Sequence, residues 1–192
     1  MGNLKKEYYD FVIPKLQKEF AYENPHQIPK LEKIVVSVSL GLLAQNKNAL
    51  QQSLEDIRAI TGQHPILTKA KKSVAGFKVR EGMPLGFVVT LRRKKMYAFL
   101  EKFLKLVLPR IRDFRGLSPI QFDTFGNYNL GVSDKSVFPE IDTDYSQGEQ
   151  KRGFNISIVT TAKTDYEAYF FLKELGFPFS APYPTKLKPK SS

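Results

Sequence analysis

The sequence contains no cysteine, no tryptophan and only two histidines, His26 and His64. Without cysteine the chain cannot form disulfides, Cys-ligated zinc sites, iron–sulfur clusters or a thiol nucleophile. Two histidines also exclude a metal site built from several imidazoles. The composition therefore predicts a protein without a bound metal or cofactor.

Long apolar runs are absent as well. The uncharged stretch at residues 34–46 includes Ser, Gln and Asn and is shorter than the ~18 apolar residues that a membrane span needs. The first seven residues have no apolar core after their positive charges and are not rich in Arg and Ser. We therefore expect no secretory signal, no transit peptide and no membrane partner.

Acidic residues are scarce relative to basic ones, with 19 Asp and Glu against 30 Lys and Arg, which gives a net charge of +11. Residues 64–95 contain nine Lys or Arg and a single acid, Glu81, and residues 181–192 contain three lysines and no acid. These two segments account for the whole net charge. Such concentration favours a polyanionic partner, either nucleic acid or an anionic membrane surface, over the alternative that the Lys and Arg side chains only keep a loop soluble.

Hydrophobic periodicity predicts a mixture of helices and strands. Apolar spacing and stop signals predict helices at residues 4–20 with a kink or boundary at Pro14, 48–61 ending at Gly62, 95–107 ending at Pro109, and 164–175 ending at Gly176. Runs of β-branched residues and alternation predict strands at residues 31–40, 65–68, 86–91 and 154–158. Residues 110–128 are predicted to form an ordered loop with short strand pieces.

The strands and helices do not alternate regularly, which favours the α+β class over α/β. We expect an antiparallel sheet with helices packed on one side, its other face free for a partner, and a long basic glycine-containing hairpin. The prediction is one domain over residues 1–180, followed by a disordered basic tail of Pro, Lys and Ser over residues 181–192.

The glycine-containing basic run at residues 69–86 carries the most concentrated charge. Its spacing matches neither a Walker A loop nor a dinucleotide fingerprint. We predict a hairpin whose cations neutralise phosphates, with Lys78 and Arg80 on one face of an extended segment. Phe77 either stacks on a base or sugar or anchors the base of the hairpin in the core, and both interpretations stay open here.

A second basic cluster occupies residues 110–116, with Arg110, Arg112 and Arg115 around Asp113. The planar fork of Arg suits a phosphate because it donates two parallel hydrogen bonds. Asp113 alternatively pairs with a neighbouring Arg and holds the loop, and the two roles are compatible.

The acidic residues Glu140, Asp142, Asp144 and Glu149 are the one place where a hydrolase metal site is conceivable. Two-metal nucleases need convergent carboxylates, and this spacing on a loop with Gly and Ser does not indicate convergence. We therefore expect that the chain is not an enzyme. A small metal-dependent nuclease and a basic DNA-architectural protein remain the alternatives.

Six motifs occur in order along the chain: Ile60–Pro65, Thr68–Gly82, Pro109–Ser118, Gly126–Tyr128, Phe138–Ile141 and Thr160–Asp165. Together they resemble the bacterial-type ribosomal protein L5 family, and the resemblance runs from about Leu4 to Phe179. It implies a structural, non-catalytic constituent of the large ribosomal subunit, lodged in the central protuberance. The implied partners are 5S rRNA, large-subunit rRNA, P-site tRNA, neighbouring central-protuberance proteins and a protein of the small-subunit head.

The resemblance also implies two sets of contact residues. The set expected to bind 5S rRNA is Ser37, Thr61, Gly62, Gln63, Lys69, Lys71, Lys72, Arg92, Arg110, Arg112 and Arg115. The Ser73–Gly86 hairpin is expected to reach P-site tRNA through Ala75, Gly76, Phe77, Lys78, Arg80 and Gly82.

Three positions depart from the family pattern. Ser37 and Ser39 stand where the family commonly has Asn and Gly, and the shorter reach of Ser37 weakens that expected contact. Phe125 stands where Arg is common, which exchanges a phosphate contact for a stacking surface. The segment at residues 95–100 resembles plastid members, so the expected location is the ribosome of the chloroplast stroma, with a bacterial cytoplasm as the alternative.

Overall fold

The fold is built on a five-stranded sheet, observed in a computed structural model that describes residues 3–41, 46–141 and 153–184. The strands are β1 (Leu31–Ser39), β2 (Ile66–Lys69), β3 (Pro84–Leu91), β4 (Tyr128–Val132) and β5 (Phe154–Thr160). Their order in the sheet is β2-β3-β1-β5-β4. In the antiparallel pair of β2 and β3, Ile66 lies opposite Val88. The predicted α+β class with an antiparallel sheet and packed helices is confirmed.

Five α-helices accompany the sheet in the described part of the chain. They are α1 (Asn3–Glu7), α2 (Ile13–Phe20), α3 (Lys47–Thr61), α4 (Arg93–Lys102) and α5 (Asp165–Glu174). Each falls within or close to a segment where periodicity predicts a helix. Strand β4 was not predicted as such, although Tyr128, Leu130 and Val132 alternate with exposed residues.

Helices α1 and α4 each continue into a π-helical turn just before a proline, Pro14 or Pro109. Proline has no N–H to donate, and its ring presses on the carbonyl four residues earlier. In the wider turns, the N–H groups of Ile13 and Leu108 donate to carbonyls five residues earlier. The predicted kink and stop therefore occur as widened turns, without a break in the helical path.

The ends of α3 and α5 follow the predicted capping signals. Gly62 ends α3 in the left-handed region with φ +64°, and its N–H donates to the Arg58 carbonyl. At the start of α5, Thr164 Oγ1 accepts from the Glu167 N–H at 3.3 Å. In return, the Glu167 carboxylate accepts from the Lys163 N–H at 2.7 Å. A standard capping box would use the N–H of the N-cap residue Thr164, one residue later.

The chain divides into two compact units. Unit 1 comprises residues 1–34, 92–130 and 157–192, and unit 2 comprises residues 35–91 and 131–156. Each unit has its own fully buried side chains, which include Leu16, Phe103 and Phe171 in unit 1 and Phe87 and Phe138 in unit 2. A single domain over residues 1–180 stays a prediction.

The predicted C-terminal tail lies mostly outside the described residues, because the description ends at Pro184. Before that point Tyr183 is buried, with its ring centroid 5.4 Å from that of Tyr169 and 5.7 Å from that of Tyr166. Ordered packing in unit 1 therefore extends at least to Tyr183.

Candidate nucleic-acid interface

The connection between β2 and β3, residues 70–83, contains the predicted basic run and is called the basic loop below. Its base is closed by the Ala70 N–H, which donates to the Met83 carbonyl at 2.9 Å. Further out, Val74 and Val79 form an antiparallel bridge with N–H···O distances of 2.9 and 3.2 Å. Backbone hydrogen bonds within the loop therefore hold its shape and satisfy backbone polar groups that face water.

The tip of the basic loop is a short 3-10 turn, Ala75–Phe77, which ends at Lys78 in the left-handed region with φ +53°. The Lys78 N–H donates to the Ala75 carbonyl at 3.0 Å. Gly82 has φ +79°, a conformation that glycine adopts without steric cost. A local turn with a left-handed residue at its end thus shapes the tip.

Every residue from Lys71 to Lys78 is exposed, and the Phe77 side chain is 75% exposed. The interpretation of Phe77 as a core anchor is therefore wrong, since no core covers the ring. An exposed aromatic ring beside cations is suited to stacking on a base or sugar.

The cations of the basic loop have no internal counter-charge. Within the described ranges, no carboxylate lies within 4.0 Å of Lys69 or of the loop cations Lys71, Lys72, Lys78 and Arg80. Lys78 and Arg80 both line an open concavity of about 420 Å³, together with Val79 between them. These side chains are therefore available to an external anion. The predicted extended segment is wrong at Lys78, because this residue ends a 3-10 turn in the left-handed region.

The corner after α3 holds Thr61, Gly62 and Gln63, three of the residues assigned to RNA by resemblance. The Thr61 hydroxyl is buried and donates to the Ile57 carbonyl at 2.7 Å, so it is used inside the protein. The Gln63 side-chain amide donates to the Thr90 carbonyl at 3.1 Å. Of the three residues, only exposed Gly62 and half-exposed Gln63 are accessible to a partner at this corner.

Unit 2 also carries a small polar sheet face. The side chains of Val36, Val38, Val89 and Leu91 are buried, so the alternate residues of β1 and β3 lie on the opposite face. On that face the half-exposed or exposed residues are Ser37, Ser39, Thr68, Val88 and Thr90. Ser37 thus lies on this partly exposed face, and a sheet face free for a partner stays a prediction. Thr68 and Thr90 were not predicted as contact residues, because an isolated threonine hydroxyl forms no recognisable sequence motif.

The predicted second basic cluster lies in unit 1. Arg110, Arg112 and Arg115 are exposed. No carboxylate of the described residues, Asp113 included, comes within 4.0 Å of them. Backbone hydrogen bonds hold the loop instead, because the Leu117 N–H donates to the Pro178 carbonyl at 2.8 Å and the Ser180 N–H donates to the Leu117 carbonyl at 2.9 Å. The proposed Asp–Arg pairing is therefore not the device that holds this loop.

Arg92 differs from the other assigned cations. Its guanidinium lies 3.6 Å from the Glu32 carboxylate, and both side chains are about half exposed (54% and 48%). An exposed pair of this kind contributes little stability because water and salt screen it. The Arg92 guanidinium thus stays about half exposed despite this contact.

A second exposed ring, Phe125, stands on a tight loop of unit 1 and is 75% exposed. Asp123 Oδ1 accepts from the backbone N–H groups of Phe125 and Asn127, both at 3.0 Å. Asp165 accepts from the Gly126 N–H at 2.9 Å. Two carboxylates thus fix the backbone that presents Phe125.

Asp123 gives this loop a pH dependence. Burial opposes ionisation of Asp123, but hydrogen bonds from the Asn127 side chain and from the backbone of Asn127 and Phe125 outweigh it and lower the pKa. Because the folded-state pKa lies below the unfolded value, the stabilisation is present above the unfolded pKa and is lost as the pH falls through the folded pKa.

We expect the substitution Asp123→Asn to lower the free energy of unfolding at pH 7 by about 1 kcal/mol, since the amide cannot accept at both former oxygens. The difference from wild type should begin to shrink below about pH 4, where the carboxyl of the unfolded state takes up a proton, and should be lost as the pH falls through the lowered folded-state pKa of Asp123. Urea unfolding at pH 7 and near pH 3 measures both values. A deficit that is constant across this range would contradict the ionised role of Asp123.

Of the four acidic residues considered for a nuclease, only Glu140 lies in the described part of the chain. Glu140 is exposed, whereas Asp142, Asp144 and Glu149 lie outside the described residues. Among the residues that the structure does describe, no group of three or more His, Asp or Glu is arranged to hold a metal. No helix in the same ranges is both long and apolar enough to cross a bilayer.

Comparison with protein families gives matches over most of the chain. Residues 24–80 match the family described as ribosomal protein L5, and residues 84–179 match the C-terminus of the same ribosomal family. The junction between the two matches falls at the start of β3. Both matched regions contain motifs on which the sequence resemblance rests.

Named relatives agree with these family matches. The chain is 53% identical over 176 residues to the large ribosomal subunit protein uL5 of Rippkaea orientalis, which covers 92% of this chain and 97% of the relative. It is 55% identical over 174 residues to the uL5 protein of a Synechococcus species, covering 91% and 96%. It is 54% identical over 176 residues to the uL5c protein of Heterosigma akashiwo, covering 92% and 96%.

The relatives carry the names of ribosomal proteins and not of enzymes, which confirms the prediction that the chain is not an enzyme. Cyanobacterial and plastid names occur among them at similar identity. Family matches to both halves, together with relatives more than half identical over nine-tenths of the length, establish that the chain belongs to the ribosomal protein L5 family of the large ribosomal subunit.

Proposed function

We propose that this ribosomal protein binds 5S rRNA in the central protuberance and contacts P-site tRNA through the 73–86 segment of the basic loop and β3. The observation that carries the proposal is the set of exposed loop cations without a carboxylate partner among the described residues. We also propose contacts to large-subunit rRNA, to neighbouring central-protuberance proteins and to a small-subunit head protein, the last forming a bridge between subunits.

Affinity would come mainly from phosphate neutralisation. Each Lys or Arg that contacts a phosphate releases condensed counterions, so binding weakens steeply as salt rises. The basic loop has a defined backbone before binding, which lowers the ordering cost of the complex. Specificity for a folded RNA would follow from the match between protein shape and RNA shape, since phosphate contacts carry no sequence information.

The proposed contacts divide by chemistry. The polar sheet face with Ser37 offers uncharged donors and acceptors, as does the corner with Gly62 and Gln63. Both surfaces lie next to the cations of β2 and the basic loop, and this combination suits contact with a folded 5S rRNA. The exposed tip from Ala75 to Gly82 offers Phe77 for stacking and two cations for phosphate, which fits contact with tRNA. Arg92, Arg110, Arg112 and Arg115 are proposed as further 5S rRNA contacts, made from unit 1.

A titration of the full chain with labelled 5S rRNA and with an RNA of equal length and shuffled sequence tests the proposal. We expect tighter binding to 5S rRNA by tenfold or more and a strong decrease in affinity between about 0.1 and 0.3 M KCl. Equal affinity for the two RNAs would overturn the 5S assignment. Competition by duplex DNA as effective as that by 5S rRNA would favour a DNA-architectural protein, and Mg²⁺-dependent cleavage of the RNA would favour a nuclease.

The location is proposed to be the plastid ribosome, with a bacterial cytoplasm as the alternative. The resemblance of residues 95–100 to plastid members and the similarity to the uL5c protein of Heterosigma akashiwo support a plastid. Immunolabelling of cells that contain the protein distinguishes the two, because plastid ribosomes are enclosed by the organelle envelope.

A further inference from the structure

The two arms of the basic loop, before and after its tip, are joined by a side chain as well as by backbone hydrogen bonds. Ser73 Oγ accepts from the Glu81 N–H at 2.9 Å. No other side chain of residues 70–83 makes a hydrogen bond to a described residue. A fixed internal contact therefore distinguishes Ser73 from the exposed side chains around it.

The Ser73 contact lies between two backbone pairings. On the inner side the base of the loop is closed, and on the outer side the bridge between Val74 and Val79 holds the tip. Between them, the Ser73 hydroxyl takes the place of a backbone acceptor for the Glu81 N–H. This bond fixes the backbone directly after Arg80.

Arg80 is the functional side chain next to this fixed point. Its side chain lines the open concavity of about 420 Å³ together with Lys78 and Ser73. Glu81, which follows Arg80 directly, is not among the described residues that line it. The concavity therefore combines two cations with a hydroxyl and leaves the neighbouring acid outside, a combination that suits an anionic group.

We infer that Ser73 is a positioning residue, which holds Arg80 beside Lys78 so that both cations meet the same region of the tRNA backbone. The inference rests on the proposed function, because it gives Ser73 a role in the tRNA contact of the basic loop. Ser73 carries no charge, so it acts by lowering the ordering cost of Arg80 and not by neutralising a phosphate.

A double-mutant cycle on the full chain tests this role, with deacylated tRNA as the probe. S73A alone is expected to weaken tRNA binding about fourfold at ~0.1 M KCl, because Arg80 then has to be ordered during binding. R80Q is expected to weaken it about tenfold through the lost cation. In the R80Q background, S73A should change the affinity by less than about 1.5-fold, since the side chain that Ser73 positions is gone.

Two further variants separate the hydroxyl of Ser73 from general effects. S73T keeps an acceptor hydroxyl and should restore at least about half of the wild-type affinity. S133A removes another exposed serine hydroxyl from unit 2 and should bind tRNA like wild type. In the free protein, hydrogen exchange of the Glu81 amide should be about fivefold faster in S73A and unchanged in S133A.

Four outcomes would overturn the inference: equal tRNA affinity of S73A and wild type, an S73A effect as large in R80Q as in wild type, no recovery in S73T, or equal exchange of the Glu81 amide in S73A and wild type. The exchange measurement needs no RNA. A wild-type protein that did not bind tRNA would refute the proposed tRNA contact, and the Glu81 exchange rate would still decide whether Ser73 holds the loop.

Discussion

Replacement of Lys71, Lys72, Lys78 and Arg80 together by glutamine is expected to weaken binding to 5S rRNA and to tRNA by about 100- to 1,000-fold at ~0.1 M salt. Each lost phosphate contact makes the slope of log K against log salt less steep by roughly 0.7 to 0.9. Loss of the four contacts should therefore make this slope less steep by about 3. Since these side chains have no carboxylate partner among the described residues, the Tm should stay within about 2 °C of wild type. Fluorescence titration and thermal unfolding measure the two quantities.

The matched control changes four exposed lysines outside the basic loop, Lys5, Lys6, Lys18 and Lys173, to glutamine. It lowers the net charge by the same amount, so it reports how much of the effect is general attraction. If both quadruple variants lose the same affinity, the basic loop is not a localised RNA contact. A large fall in Tm of the loop variant alone would instead show that the cations stabilise the fold.

The substitution Gly86→Ala is expected to destabilise unit 2 by about 3 kcal/mol or more. A Cβ atom at this position would lie 2.1 Å from the Val38 carbonyl oxygen, far inside van der Waals contact. The neighbouring strands β1 and β3 would have to separate, which strains the hydrogen bond from the Leu40 N–H to the Leu85 carbonyl at 2.8 Å. Urea denaturation gives the free energy of unfolding.

Gly76→Ala serves as the comparison, because a Cβ atom there meets nothing within 4 Å and the backbone is not left-handed. We expect its effect to stay within about 0.5 kcal/mol of zero, with a small gain from reduced freedom of the unfolded chain. Similar losses of stability in the two variants would show that close approach of β1 to β3 is not what requires glycine at Gly86.

Several features of the fold follow from local sequence signals. The stop of α3 at Gly62 and the cap of α5 at Thr164 depend on atoms within a few residues of each other, and both occur as predicted. Alternation in β5 also predicted a half-buried strand. Pro14 and Pro109 predicted interruptions, but the wider π turns depend on how the whole helix is held in place.

The candidate interface was predictable in its charge but not in its details. Concentration of cations in residues 64–95 is a property of the sequence itself, and six motifs were enough to indicate the family. By contrast, the contact of Arg92 with Glu32 joins residues 60 positions apart. A contact of this kind has no local signal in the chain.

Composition and short-range pattern were sufficient for the absence of thiol chemistry, the basic character, the α+β class and the family. Three-dimensional packing was needed to show that Phe77 is exposed and that the loop cations lack carboxylate partners among the described residues. These features could not be predicted because exposure and pairing at such positions depend on which distant segments pack nearby.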